Sequence, residues 1–245
     1  MFMSDQHTSD PGPLLPWSTI ARNLSEHADN PVHTDDGARA AGFDAAIVAG
    51  TTVHAYLTHP PAVAWGLDWL AAGWSEVRFL APVFDADQVD CVPVDDSLIE
   101  ARVGGSVRAT LAVSLDAPSV GPLTGEVLPT MTIHLADGPG TYGIRAGDDL
   151  GYYAEQNISH PAVWSSIGNT VTKANCVDGP WVHVRSAITH LARVSADACV
   201  TVETRVADRF STRAGDRVVL DIRASVDEQP VAIIEHESII RLTTA

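Results

Sequence analysis

The sequence predicts an α+β protein in two similar halves, each a curved antiparallel sheet wrapped around a central helix. Three observations carry that prediction. An apolar helical stretch followed by four alternating segments occurs twice along the 245 residues. Between the two runs, Pro118 to Gly151 concentrates turn formers, among them Gly121-Pro122, Asp137-Gly138-Pro139-Gly140 and Gly147-Asp148-Asp149. The halves also share a corner: Leu80-Ala81-Pro82-Val83 precedes Asp87-Gln88-Val89 much as Leu191-Ala192-Arg193-Val194 precedes Ala198-Cys199-Val200.

Taken in order, residues 1–13 are polar and turn-rich and read as a flexible leader. The first unit spans 14–117. Its helical stretch runs from Gly50 to about Leu57 and resumes from about Ala62 to Ala72. Trp65, Trp69 and Trp74 lie at or near helical spacing and are assigned to the core. Strand periodicity follows near Glu76–Val83, Gln88–Val94, Leu98–Val103 and Val107–Leu115. Residues 118–150 are read as a linker, with Met131–Leu135 alternating well enough for one short strand. In the second unit, 151–245, His160–Ala174 has the helical pattern, and Trp181–Leu191, Cys199–Phe210, Arg217–Val226 and Val231–Leu242 read as strands. A curved sheet with one apolar face is completed by an apolar helix in its concavity. Pairing the two sheets edge to edge removes two exposed edges and leaves a cleft for a ligand.

Apolar residues make up 45% and charged residues 19%, an ordinary globular composition. The formal charge of -16 argues against a nucleic-acid partner, whose phosphates most of the surface would repel. Lys173 is the only lysine, which leaves arginines and backbone amides to meet any phosphate. No apolar run approaches the roughly 20 residues of a membrane span, and the N-terminus lacks the basic start and apolar centre of a secretory signal, so a cytoplasmic protein without membrane contact is expected. Cys91, Cys176 and Cys199 fit no metal spacing, and no metal or cofactor is expected.

The chemistry concentrates in one stretch. Asn30-Pro31-Val32-His33 puts an imidazole just after a rigid turn, one supersecondary unit ahead of Ile47-Val48-Ala49-Gly50, where a glycine opens the central helix. A base beside a helix N-terminus can move a proton next to a carbonyl whose oxygen the helix amides stabilise. Asn30 is expected to hold the turn through an Asx-type bond. Thr51 and His54 follow on the helix; Thr51 can cap it, and His54, one turn on, is a candidate for lining the cleft. His59, before Pro60-Pro61, reads as a turn residue.

Together with Ala40-Ala41-Gly42-Phe43 and Val77-Arg78-Phe79-Leu80-Ala81-Pro82-Val83, this stretch resembles the MaoC-like (R)-specific enoyl-CoA hydratases. The specific motif covers about residues 22–83; the second half matches in element order alone. The resemblance implies a double hotdog fold and interconversion of trans-2-enoyl and 3-hydroxyacyl thioesters, by an aspartate and a histidine flanking one water. It makes His33 the family histidine, Asn30 the motif asparagine and Gly50 the oxyanion-hole glycine. Two positions depart from the pattern. The family's aspartate, five residues before the histidine, is Ala28, and its His-Gly pair at the helix start is Ala49-Gly50.

Asp29 and Glu26 are therefore the candidate replacement carboxylates, with Asp35 and Asp36 less favoured. The catalytic set expected is His33, Gly50, Asp29 and Glu26; the substrate-binding set is Asn30, Thr51 and His54. His183, in Gly179-Pro180-Trp181-Val182-His183, has no Asn-Pro turn or spaced carboxylate, and the second half is read as a scaffold shaping an acyl tunnel. The expected activity is that of a hydro-lyase in fatty acid or polyketide metabolism, acting on acyl-CoA or an acyl carrier protein. Alternatives are a hotdog thioesterase, a repurposed dehydratase or cyclase of a specialised pathway, and a non-catalytic acyl-thioester binder. The assembly expected is a monomer of two fused hotdogs or a homodimer.

Overall fold

The computed structural model describes residues 12–243; residues 1–11, most of the stretch read as a leader, lie outside them. Gly12 is already tied to the body, its carbonyl accepting from Trp65 Nε1–H at 3.0 Å. Strand β1 (Trp17–Ile20) is followed by two short 3-10 turns and helix α1 (Asp35–Ala40). Thr34 caps α1, its Oγ1 accepting from the Gly37 amide.

Helices α2 (Gly50–Leu57) and α3 (His59–Ala72) form a nearly continuous central element. Every residue of α2 after Gly50 is buried, as befits a helix enclosed by a sheet. The second helix starts at His59, earlier than the sequence suggested. Pro60 and Pro61 fall in its first turn, where a missing N–H breaks no helical bond. Gly66, at φ 53° and ψ -134°, kinks α3.

Four strands follow: β2 (Trp74–Phe79), β3 (Gln88–Pro93), β4 (Leu98–Val103) and β5 (Ser106–Ser114). On β5, Ala109, Leu111 and Val113 are buried at a period of two, the signature of one face turned to a core. β2 stops at Phe79 instead of Val83, because the chain turns off the ladder: the Leu80 and Ala81 amides both reach the Arg108 carbonyl, and the Val83 carbonyl accepts from Val48.

Next come β6 (Glu126–Val127), β7 (Met131–His134), α4 (Tyr142–Ala146), α5 (Tyr152–Glu155) and α6 (Val163–Cys176), then β8 (Val182–His190), β9 (Cys199–Thr212), β10 (Gly215–Val226) and β11 (Gln229–Leu242). β7 matches the short strand expected there. Helix α6 buries Val163, Trp164, Ile167, Gly168, Val171 and Thr172, a stripe at three- and four-residue spacing facing its sheet.

All the strands join one antiparallel sheet in the order β1-β3-β4-β5-β2-β8-β11-β10-β9-β6, with β7 also on β9. The halves meet edge to edge at β2 and β8, from Trp74↔Thr189 to Arg78↔Arg185. Arg78 therefore faces a like charge, but Arg185 is offset by Glu76 at 2.9 Å, by Glu237 at 3.5 Å and by Glu235. Two apolar cores result. One surrounds α2 and α3, with Tyr56, Leu57, Trp69, Ile99 and Leu111; the other surrounds α6, with Ile167, Ile188, Leu220, Ile222 and Ile234. Each fully buried Leu or Ile contributes about 1.5–3 kcal/mol. Among the described residues, no helix is long and apolar enough to cross a membrane.

Residues 118–150 are more than a connection. β6 and β7 extend the second sheet along β9, while Tyr142 and Ala146 of α4 pack into the first core. Asp148 sits buried between two imidazoles, His59 Nδ1 at 3.1 Å and His160 Nε2 at 2.9 Å. The Ala162 amide donates to His160 Nδ1, so the His160 proton lies on Nε2 and points at the carboxylate. Burial opposes the Asp148 charge most strongly, yet the two imidazole hydrogen bonds, the His160 charge and the Leu150 amide together outweigh it and hold the carboxyl well below the usual range. His59 is thus a buried anchor, stacked on Trp17 at 4.1 Å between ring centres.

Candidate active site

The stretch that carries the motif folds back over the start of α2. Residues 31–33 make one 3-10 turn, and Asn23 Nδ2 donates to the His33 carbonyl at 3.0 Å, fixing it. Asn30 forms no local Asx bond. Its buried side chain reaches the backbone of Trp181 in the other half, Nδ2 donating to the carbonyl at 3.0 Å and Oδ1 accepting the amide at 3.5 Å. The expected geometric role is therefore long-range: Asn30 pins the motif loop to the residue that leads into β8, the strand that pairs with β2 at the junction.

His33 Nδ1–H donates to the Ile47 carbonyl at 2.8 Å. A carbonyl only accepts, so the neutral ring carries its lone pair on Nε2. Burial lowers the pKa of this imidazole, against weaker opposing effects of the Ile47 carbonyl and the Asp29 charge. At neutral pH it is an uncharged base.

His33 and Gly50 line one apolar cavity of about 300 Å³, walled by Phe43, Val53, Phe79 and Ile239 among others. Gly50 opens α2, so its amide and that of Thr51 have no acceptor within the helix. A Cβ at Gly50 would lie 3.1 Å from His183 Nδ1 and 3.2 Å from the Phe79 ring. Close approach, rather than an unusual backbone angle, disfavours a side chain at this position. Among the described residues lining the cavity there is no carboxylate.

The expected carboxylates stand elsewhere. His33 also borders a second, polar cavity of about 660 Å³, and Glu26 and Asp29 line that one. Glu26 is engaged by Arg145 at 2.9 and 3.1 Å, and Asp29 by Lys173, so neither hydrogen-bonds His33. Asp29 acts on His33 through its charge only. Asp35 accepts the Ala46 amide and, with Asp36, faces Arg39. Ala28 is exposed and borders neither cavity.

Thr51 and His54 are not brought to the apolar cavity. Thr51 Oγ1 is buried and accepts from Asn169 Nδ2 at 2.8 Å. His54 lies wholly buried between α2 and α6, 2.9 Å from Ser165 Oγ. The Ser165 hydroxyl gives its proton to the Ala162 carbonyl, so His54 Nδ1–H is the donor in that pair. Burial pushes the His54 pKa down to about 3.

Several residues at the site were not expected there from sequence, His183 among them, which was read as part of a scaffold. His27, on the polar cavity, has its ring centre 5.5 Å from that of His33. Its Nε2 lies 2.7 Å from the Tyr142 hydroxyl, which in turn meets Thr52 Oγ1 on α2. Burial first, and then the neighbouring His33, lower the His27 pKa to about 4. Asn169 and Trp181, from the second half, border both cavities. His183 borders the apolar one and begins a buried chain: Nε2 to Ser186 Oγ at 2.8 Å, that oxygen to His236 Nδ1 at 2.8 Å, and His236 Nε2 to Ser238 Oγ at 3.1 Å. Gly168 on α6 leaves room for the His236 ring, which a Cβ would meet at 2.3 Å. His236 and Ser238 continue an inward alternation with Ala232 and Ile234, and a polar pair on an apolar face was the available signal. Tyr142 lay in a segment read as linker and gave no such signal.

Among the described residues, His59, Asp148 and Asp149 offer metal-type donors within 4.8 Å of one another. Two of these donors already bond each other, and the group borders neither cavity.

No protein-family model matches the chain, and no curated protein matches its sequence. Solved structures do match its shape. A protein described as a MaoC-like dehydratase superposes with a TM-score of 0.60 at 13% identity, covering 94% of this chain and 98% of its own. A conserved hypothetical protein of Mycobacterium tuberculosis, described as having a double hotdog fold, gives 0.63 at 10% identity over 94% and 97%. A putative oleoyl thioesterase of Lactobacillus plantarum gives 0.53 at 8% identity over 94% and 96%. At such identities the likeness speaks for architecture: the chain is an α+β double hotdog.

Proposed function

We propose that the protein is a hydro-lyase of acyl thioesters, interconverting trans-2-enoyl and 3-hydroxyacyl forms. The observation that carries this reading is that a neutral imidazole and the open N-terminus of a buried helix border the same apolar cavity. The acyl chain occupies that cavity. The carrier, CoA or a carrier protein, leaves through the polar cavity past Arg145 and Lys173.

In hydration, His33 Nε2 takes a proton from water as the water oxygen bonds the β-carbon. The double-bond electrons pass to the thioester oxygen, where the Gly50 amide and the positive end of α2 hold the charge. The imidazolium then returns its proton to the α-carbon, which restores the carbonyl and the neutral base. Glu26 and Asp29 hold the mouth in ion pairs in this reading and take no part in proton transfer. Asn30 and Asn169 fix the walls between the halves.

Incubation with crotonyl-CoA tests the reading: the enoyl absorbance falls, 3-hydroxybutyryl-CoA appears, and His33→Ala stops both. Release of free thiol supports a thioesterase instead. Binding without turnover supports a non-catalytic acyl-thioester binder.

A further inference from the structure

The described residues of the apolar cavity give His33 no carboxylate partner to share the attacking water. The polar cavity that opens onto His33 supplies an imidazole instead. His27 precedes exposed Ala28, and its ring, unlike that alanine, turns into the cavity beside His33. Its placement is built, not incidental: Tyr142, itself buried, rises from α4 to bond His27 Nε2 and ties it through Thr52 to the central helix.

We propose that His27, oriented by Tyr142, is the group that holds the water opposite His33. The inference rests on the hydro-lyase reading above. With His27 Nε2–H donating to the Tyr142 oxygen, the Tyr142 hydroxyl donates to Thr52, and Nδ1 is left with its lone pair. A water in the polar cavity gives one O–H to His27 Nδ1 and the other to His33 Nε2. His33 takes its proton, and His27 keeps its own throughout, so the step described above stays balanced. Both rings are uncharged at neutral pH, which suits them to share one water; a proton on either disfavours a proton on the other. Tyr142 is a positioning residue: without its oxygen, nothing selects the Nε2–H tautomer of His27.

The test compares kcat and KM for crotonyl-CoA hydration in the full-length protein and three variants. His27→Leu should lower kcat at least tenfold with KM changed less than about twofold, in line with the loss of one acid/base or orienting group. Tyr142→Phe should lower kcat several-fold with the same unchanged KM. His27→Glu, which cannot reproduce the imidazole's bond to Tyr142 but offers water an acceptor, should recover at least threefold over His27→Leu. A structural role for His27 predicts no such recovery, and its absence overturns the proposal. So does a His27→Leu protein with wild-type kcat, or one in which KM alone rises. If His27→Leu fails to fold, an unaltered kcat in Tyr142→Phe is the overturning result. Wild-type protein that hydrates no enoyl thioester would instead sink the hydro-lyase reading, and this inference with it, before any variant is compared.

Discussion

Each half of the molecule brings two histidine rings together, but the two pairs are bonded differently. In the first half, His27 and His33 sit on short turns with centres 5.5 Å apart and border an open cavity. In the second, His183 and His236 face each other from adjacent strands at 4.3 Å, wired through Ser186 and Ser238, with His236 packed against α6 and His183 at the inner wall of the apolar cavity. The first pair is bonded to the protein through one nitrogen each, leaving the other nitrogen for a ligand. In the second pair His236 has both nitrogens bonded, and His183 Nδ1 is buried against Gly50 without a partner. In the proposed reading the same residue type serves reactivity where the backbone turns, and holds packing where it runs in a strand.

Variants that break this contrast should separate activity from stability. The largest expected effect is His33→Ala, which should cost about 10²–10⁴-fold in hydration, read by enoyl absorbance, and about 1–3 kcal/mol in stability through the lost bond to the Ile47 carbonyl, read by calorimetry. Gly168→Ala attacks the other pair. Its Cβ meets the His236 ring at 2.3 Å, so it should destabilise by about 1–3 kcal/mol, seen in the urea midpoint. Asn30→Ala removes both bonds to Trp181 and should cost about 1–3 kcal/mol by leaving buried groups unpaired. The smallest effect belongs to Asp29→Asn: its pair with Lys173 is more than half exposed, is worth at most about 1 kcal/mol, and should leave hydration within about twofold of wild type.

Acid sharpens the comparison. Burial depresses both pairs, to about 4 for His27 and about 3 for His236, with His33 and His183 also lowered. An unfolded histidine titrates near 6.5, so below that pH the unfolded chain binds protons that the native rings refuse. The stabilisation is whole above about pH 6.5 and is lost as pH falls toward the native values, by about 1.4 kcal/mol per pH unit for each such ring. Urea midpoints at pH 7.5 and pH 5.5 should therefore differ, and His236→Phe should shrink the difference by one proton's share.

Much of this architecture was readable from residue order. Alternation in segments such as Val218, Leu220, Ile222 and Ala224 fixes which side of a strand is buried, and that pattern survives any tertiary context. The edge-to-edge junction followed from the need to cover two sheet edges, and β2 pairs with β8 as that need requires. The site was legible in part. His33 and Gly50 share a cavity because turn and helix start are separated by a fixed length of chain. Partners distant in sequence were not legible: Arg145 and Lys173, which occupy Glu26 and Asp29, lie more than a hundred residues away. Nor was the helical start at His59, where two prolines read as a break sit instead in the first turn. The rotation of residues 26–29, which exposes Ala28 and turns His27 inward, depends on 3-10 geometry that composition does not dictate.

The most direct test of the account is a crystal structure with a saturated 3-hydroxyacyl thioester bound to the His33→Ala protein. The thioester oxygen is predicted within hydrogen-bond reach of the Gly50 amide, with the β-hydroxyl directed at the space vacated by the imidazole. A thioester seated away from the start of α2, or with its carbonyl in bulk water, would contradict the account.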